Sequence, residues 1–347
     1  MGDLREIWTR GVVTNGGPVQ LAFEEQLRCQ LGWSDPVVVS SGSMALSLLC
    51  SAARLEGEVL VSGFTHAATI QALVSRGLTP VPVDIEPASL TMEPAAAAQR
   101  LTSKTSGLLV THTFGYPADM DELEAIARAN GLVLLFDAAA AVGVLYRGRP
   151  LADFGDGSAF SFHATKLMST LEGGAVASRR PEIASAIRAL RNFGMSDAEY
   201  ADPWGANGKA SELVSAIGLR SLPGLAREIV ARGNLLELYR AELDESWAAF
   251  AAPRDNTDPN NSYCCIRLRS RADQPLASTV EDVLRSRGIQ SRRYFAGRYT
   301  TALPDGLAPE AERAREDVLC LPLWGAMPEA FVRRVCNAVR QAVADAA

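Results

Sequence analysis

From about residue 36 to residue 178 the chain alternates short apolar runs with helix-like stretches, and this alternation restricts the fold more than any other feature. Strands are expected at 37–39, 59–61, 81–83, 108–110 and 132–136, with helices starting near Met44 and Ala67. Strands separated by helices read as βαβ units, which build a mostly parallel sheet sandwiched by helices. The runs 159–161 and 174–177 predict two more strands. Ligands of such α/β sheets sit outside the carboxyl ends of the strands. Residues just after each apolar run are therefore the first candidates for chemistry.

Beyond Glu182 the pattern becomes helical, with a glycine-rich polar loop at 203–208 and a break at Pro223-Gly224. The polar stretch 253–261 reads as a boundary. After it come a strand at 263–268, a helix at 278–287 and a last helix from Pro328, the pattern of a small α+β domain. The expected division is a large domain over 1–245 and a small C-terminal domain over 246–347, consistent with a chain of 347 residues.

Lys166 stands in Ser161-Phe162-His163-Ala164-Thr165-Lys166, with Glu172-Gly173-Gly174 behind it. Asp137 closes the apolar run 132–136. A strand-end acid, a hydroxyl and an apolar-flanked lysine are the parts of a pyridoxal phosphate (PLP) site. The acid pairs with the pyridine nitrogen and the lysine forms the Schiff base, while the cofactor serves as the electron sink. Such a lysine must lose its proton to attack an aldehyde, which needs a desolvated or cationic setting. Taken singly, Lys166 also reads as a surface lysine in a turn, and Asp137 as a helix N-cap. Gly42 and Ser43 open a helix after a strand, where N–H groups suit a phosphate; Ser161 is a second hydroxyl for it. Both serines also read as turn or cap residues. His66, at a strand-to-helix junction, can stack on a cofactor ring or simply pack. His163 can shuttle protons or likewise pack.

The same residues weigh against other classes. No G-x-G-x-x-G follows the first strand, and Gly208-Lys209 lacks the rest of a P-loop, so a nicotinamide dehydrogenase and an NTPase are disfavoured. Net charge is −6 with both signs interspersed, which gives no nucleic-acid face. No run approaches the roughly 18 apolar residues of a membrane span. The N-terminus has no signal-peptide pattern, and six scattered cysteines without C-x-x-C read as reduced cytoplasmic thiols, with no metal site.

The chain resembles the DegT/StrS-type sugar aminotransferases, fold-type-I PLP enzymes acting on nucleotide-linked keto sugars or keto cyclitols. The motifs run in order along nearly its whole length: Thr14-Asn15-Gly16-Gly17-Pro18, Ser41-Gly42-Ser43-Met44-Ala45-Leu46, Gly63-Phe64-Thr65, His112-Thr113-Phe114-Gly115-Tyr116-Pro117 and Phe136-Asp137-Ala138-Ala139. They continue through the Lys166 segment, Gly205-Ala206-Asn207-Gly208-Lys209, Ser211-Glu212 and Arg292-Arg293-Tyr294-Phe295. The resemblance implies that Lys166 carries the cofactor and moves the proton, and that Asp137 holds the pyridine nitrogen protonated. It implies that Gly42, Ser43 and Ser161 bind the phosphate and that Asn207 reaches it from the neighbouring subunit of a homodimer. It also implies a ping-pong transamination from glutamate to a nucleotide sugar, most closely C4 of dTDP-4-keto-6-deoxyglucose. A 3-keto sugar or a cyclitol is the near alternative, and a PLP-binding regulatory protein is an alternative of another class. Arg292 and Arg293, with Tyr294, are candidates for the substrate and its diphosphate, or a solvated charged pair. Two positions depart from the family pattern: Ala140 replaces a Gln or His, and His66 replaces a stacking Phe, Tyr or Trp. The lysine that the related sugar dehydratases replace with histidine is present, so dehydration is not expected.

Overall fold

The computed structural model describes residues 2–195, 202–268, 276–295 and 306–346. After helices α1 (Gly2–Arg10) and α2 (Pro18–Leu31), the strands and helices alternate as the apolar runs require. They are β1 (Val37–Val39), α3 (Gly42–Ala52), β2 (Glu58–Ser62), α4 (Ala67–Val74), β3 (Thr79–Val83), α5 (Pro94–Gln99), β4 (Thr105–Thr111), α6 (Met120–Asn130) and β5 (Val133–Asp137). Two short strands, β6 (Leu145–Tyr146) and β7 (Arg149–Pro150), precede β8 (Gly157–Ser161) and β9 (Gly174–Ala177). The main sheet has the order β1-β9-β8-β5-β4-β2-β3. Every pairing among β3, β2, β4, β5 and β8 is parallel, and β9 alone runs against its two neighbours. The carboxyl ends of β1, β2, β4, β5 and β8 therefore share one rim.

The strand centres are mostly apolar because the sheet is buried on both faces. Alternate residues serve opposite cores. Leu60, Leu108, Val110, Leu134 and Phe136 pack with Phe23 and Leu27 of α2 and with Met120 and Leu123 of α6. Val59, Val61, Leu109 and Leu135 pack with α3, α4 and Ile183, Ile187 and Leu190 of α7 (Pro181–Leu190).

Helix α8 (Glu212–Ser221) carries the acid of the Ser211-Glu212 motif into the interior. Glu212 is fully buried and accepts the N–H groups of Val19 at 3.0 Å and Gln20 at 2.8 Å, two donors of the first turn of α2 that have no helical partner. A Cβ on Gly17 would lie 2.6 Å from the Glu212 carboxyl carbon, so only glycine fits there.

Helix α9 (Leu225–Glu242) leads into the C-terminal part. There β10 (Ala248–Phe250), β12 (Cys264–Leu268) and β13 (Val318–Leu321) form an antiparallel sheet of order β10-β12-β13. It packs against α10 (Leu276–Ser286) and α12 (Glu329–Asp345), with α11 (Pro309–Asp317) before β13. Leu235, Leu236, Tyr239 and Leu243, from the end of α9 onward, join this core. The polar stretch 253–261 is more than a connection: β11 (Thr257–Asp258) pairs with β6. Asn260 is buried and donates to the carbonyls of Ala140 at 2.8 Å and Val142 at 2.9 Å. Its polarity follows from tying the later segment to the main sheet.

Candidate active site

At the shared rim lies a cavity of about 280 Å³, walled by Ser41, Gly42 and Ser43, His66, Asp137, Ser161, His163, Lys166, Arg292 and Tyr294. A more open groove of about 600 Å³ along α12 contains none of these groups.

Asp137 is the last residue of β5 and is 3% exposed. One carboxylate oxygen accepts the Thr69 hydroxyl at 2.6 Å and the other accepts the Ala139 N–H at 3.1 Å. Thr69 in turn receives the Thr65 hydroxyl at 2.8 Å, and Thr65 lies 2.6 Å from the Thr111 hydroxyl. Three threonines, from the loop after β2, from α4 and from the end of β4, thus fix the acid. Each carboxylate oxygen has a second lone pair for a cationic ring nitrogen.

Ser41 caps α3, its hydroxyl accepting the Met44 N–H at 3.1 Å. The N–H groups of the first turn that follow have no partner within the helix, and Gly42 and Ser43 line the cavity. Gly42 is required here: a Cβ would lie 2.6 Å from the Ser161 Cβ. Its absence leaves Ser161, at the end of β8, beside the helix start. His66 caps α4, Nδ1 accepting the Ala68 N–H at 3.1 Å, and its ring lies 6.1 Å from Phe295. Desolvation by the cavity walls lowers its pKa.

The lysine loop is closed by bonds between its own ends. The Phe162 N–H donates to Gly173 O and the Thr170 N–H to Phe162 O, each at 2.9 Å. Phe162 and Met168 anchor the loop in the core. Lys166 Nζ donates to the Tyr263 hydroxyl at 3.2 Å. Burial pushes the Lys166 pKa below its ordinary value; Tyr294 and Asp137 oppose the shift and Arg292 adds to it. His163 uses both ring nitrogens within the loop: Nδ1 accepts the Thr165 N–H at 3.2 Å and Nε2 faces Glu172 at 3.5 Å.

A lysine with a lowered pKa costs the fold stability at neutral pH, because the unfolded chain binds a proton the folded site resists. The sign is that stability rises with pH from the lowered folded pKa up to the unfolded value of roughly 10.4. The cofactor-free protein is therefore expected to gain stability relative to Lys166→Met as pH rises through that window. Denaturant unfolding of both proteins at several pH values checks it; a constant difference would contradict the shift.

The structure separates the two arginines. Arg292 lines the cavity, its guanidinium 4.8 Å from the Tyr294 ring centre. Arg293 turns to α10, where its Nε lies 3.5 Å from Glu281. Asn207 is exposed and is not among the residues lining the cavity of its own protomer; its backbone bridges to Asn192. Ala140 lines the cavity, and its carbonyl is held by Asn260 and Ser262.

Three residues of the site have no role assigned to them by the sequence. Tyr263 lies 97 positions from Lys166. Thr69 is an ordinary helix residue until its hydroxyl meets Asp137. Phe114 has a left-handed backbone (φ 57°), a strain of about 1–3 kcal/mol for a bulky residue. That turn sets its ring 5.1 Å from Tyr263 and 5.6 Å from Tyr294.

The residues present fit PLP. A strand-end carboxylate keeps acceptor capacity, a glycine-opened helix start faces a serine hydroxyl, and a half-buried lysine of lowered pKa lines the same cavity.

The comparisons agree with that fit. The profile of the DegT/DnrJ/EryC1/StrS aminotransferase family matches residues 1–340. The chain is similar to dTDP-4-amino-4,6-dideoxy-D-glucose transaminase of Shigella dysenteriae, 32% identical over 97% of this chain and 94% of that one. It is also similar to dTDP-3-amino-3,4,6-trideoxy-alpha-D-glucose transaminase of Streptomyces venezuelae, 30% identical over 94% and 87%. Its fold matches the crystal structure of DesI in the presence of its TDP-sugar product, with a TM-score of 0.92 and 33% identity over 99% of this chain and 90% of that one. On the family match over nearly its full length, and on a site built for PLP, the chain belongs to the DegT/DnrJ/EryC1/StrS aminotransferase family and is a PLP-dependent transaminase.

Proposed function

We propose that this enzyme transfers an amino group from glutamate to a nucleotide-linked keto-deoxysugar, namely C4 of dTDP-4-keto-6-deoxyglucose, in amino-sugar biosynthesis. The observation that carries the reading is the cavity lined by Lys166 and buried Asp137 in a chain similar over 97% of its length to a 4-amino-sugar transaminase. Amination at C3 is the second reading, favoured by the similarity to the 3-amino-sugar enzyme.

In this reading Gly42, Ser43 and Ser161 hold the cofactor phosphate, Asp137 holds its ring nitrogen, and His66 covers one ring face. PLP supplies an electron sink for the carbon that loses its proton. Lys166 Nζ bonds the cofactor at rest. Once free and neutral, it takes the proton at Cα of the donor and delivers it to C4′ of the cofactor, and in the second half it carries a proton from C4′ to C4 of the sugar. Arg292 faces the substrate diphosphate as a charge-assisted donor. Arg293, paired with Glu281, serves to brace α10. His163, beside the lysine at the mouth, relays protons to water.

A homodimer with shared sites completes the reading. Asn207 is exposed, and the exposed apolar side chains of Phe193, Met195 and Trp204 lie in the same region of the chain. The division into two domains is supported by a C-terminal core that begins on α9 at Leu235. A cytoplasmic location is supported by six unpaired cysteine thiols; no helix among the described residues is long and apolar enough to cross a membrane.

The test offers the holoenzyme dTDP-4-amino-4,6-dideoxyglucose or its 3-amino isomer with 2-oxoglutarate, and follows glutamate. The 4-amino sugar should have the higher kcat/KM; preference for the 3-amino sugar would overturn the C4 assignment. Sedimentation of the same sample should show a dimer, and a fully active monomer would remove the role given to Asn207.

A further inference from the structure

The Lys166 amine has no carboxylate among its hydrogen-bond partners in the described residues; it has a phenol. Tyr263 immediately precedes β12, so this contact joins the lysine loop of the main sheet to the C-terminal sheet. Nζ lies 3.2 Å from the Tyr263 hydroxyl and 5.8 Å from its ring centre. Behind Tyr263 stands Tyr294, with ring centres 5.6 Å apart at 88°. Phe114 closes the other side.

The kind of partner matters. An acid bonded to Nζ would fix the proton on the amine by stabilising its charged form. A hydroxyl is both donor and acceptor. It accepts from a charged amine and can donate to the lone pair of a neutral one, with the heavy atoms unmoved. Burial pushes the Tyr263 pKa up to about 12 and raises that of Tyr294, so both phenols stay neutral and neither becomes an anionic partner. The other charged groups acting on Nζ are Asp137, which favours its charge, and Arg292, which opposes it.

We propose that Tyr263, backed by Tyr294, is a positioning residue that holds the Lys166 amine in whichever protonation state it has while that amine is free of the cofactor. This inference rests on the reading of Lys166 as the cofactor-bearing lysine. With Tyr263 absent, the free amine loses its fixed direction and reacts more slowly, both when it captures the cofactor and when it collects the proton. Binding of the sugar, which does not use this contact, is unchanged.

The experiment uses Tyr263→Phe, which keeps the ring packing. Cofactor-free protein is mixed with PLP, and the rise of the visible band of the lysine-bound cofactor is followed at several pH values. Steady-state kcat and KM are measured on the holoenzyme. The rate of band formation and kcat should each fall roughly tenfold, the size expected for one buried hydrogen bond. KM for the amino sugar should stay constant, and the pH midpoint of band formation should move. Tyr294→Phe should give a smaller change of the same kind, and it carries the test if Tyr263→Phe folds poorly. Wild-type rates and an unmoved pH midpoint would overturn the inference. Lys166→Ala separates the two claims: if it keeps the lysine-bound band, the reading of the site fails. If it loses the band while Tyr263→Phe behaves as wild type, only the role of Tyr263 fails.

Discussion

Lys166→Ala should abolish the visible band of lysine-bound cofactor at every pH and lower transamination by roughly 10⁴-fold, the upper range for removing a positioned general base. The expectation rests on the site's geometry. Among the described residues the cavity has one lysine, and it lies in a loop closed on itself and anchored by Phe162 and Met168. His163 cannot substitute as the carrier of the cofactor, since an imidazole does not form a Schiff base with an aldehyde. The variant should fold, because the loop's closing bonds are backbone bonds that the substitution leaves in place. Absorbance of the purified protein and single-turnover assays check the claim. A variant that retains the band would show that another amine carries the cofactor.

Asp137→Asn should lower turnover by roughly 10²–10³-fold, the loss seen when one preorganised charge-stabilising group is removed from an active site. An amide cannot hold a protonated ring nitrogen as a carboxylate can. The fold should tolerate the change: the chain Thr111–Thr65–Thr69 consists of hydroxyls, which can reverse their donor direction to meet an amide N–H. The loss should therefore appear in kcat and cofactor affinity, with little change in melting temperature. Unchanged turnover would remove Asp137 from the role of ring-nitrogen partner.

Much of the site was legible before the fold was known, for a physical reason. In a parallel sheet, chemistry gathers at the strand carboxyl ends, and those ends can be read from apolar runs. Asp137, Ser161, Gly42 and His66 each follow such a run, and all four line one cavity. Ala140 and Tyr263 show the limit. The Ala140 carbonyl is held by Asn260, from a stretch that reads as a polar linker, and by Ser262 just after it. Tyr263 reaches Lys166 only because the C-terminal sheet folds back onto the rim, and nothing local encodes that return. Arg292 and Arg293 are adjacent and alike in sequence; the backbone bridge of Arg292 to Cys320 is followed by opposite directions for the two side chains. Phe114 belongs to the same class, since its left-handed backbone has no counterpart in composition.

The central claim is that Lys166 gives up the cofactor to an amino sugar and recovers it with a keto-acid acceptor. The most direct measurement adds dTDP-4-amino-4,6-dideoxyglucose alone to the holoprotein, records the visible band, then adds 2-oxoglutarate. The account predicts loss of the band with the sugar, return with 2-oxoglutarate, and glutamate formed in step. A band indifferent to the amino sugar would contradict the proposed substrate. A band that returns without glutamate would contradict the amino donor.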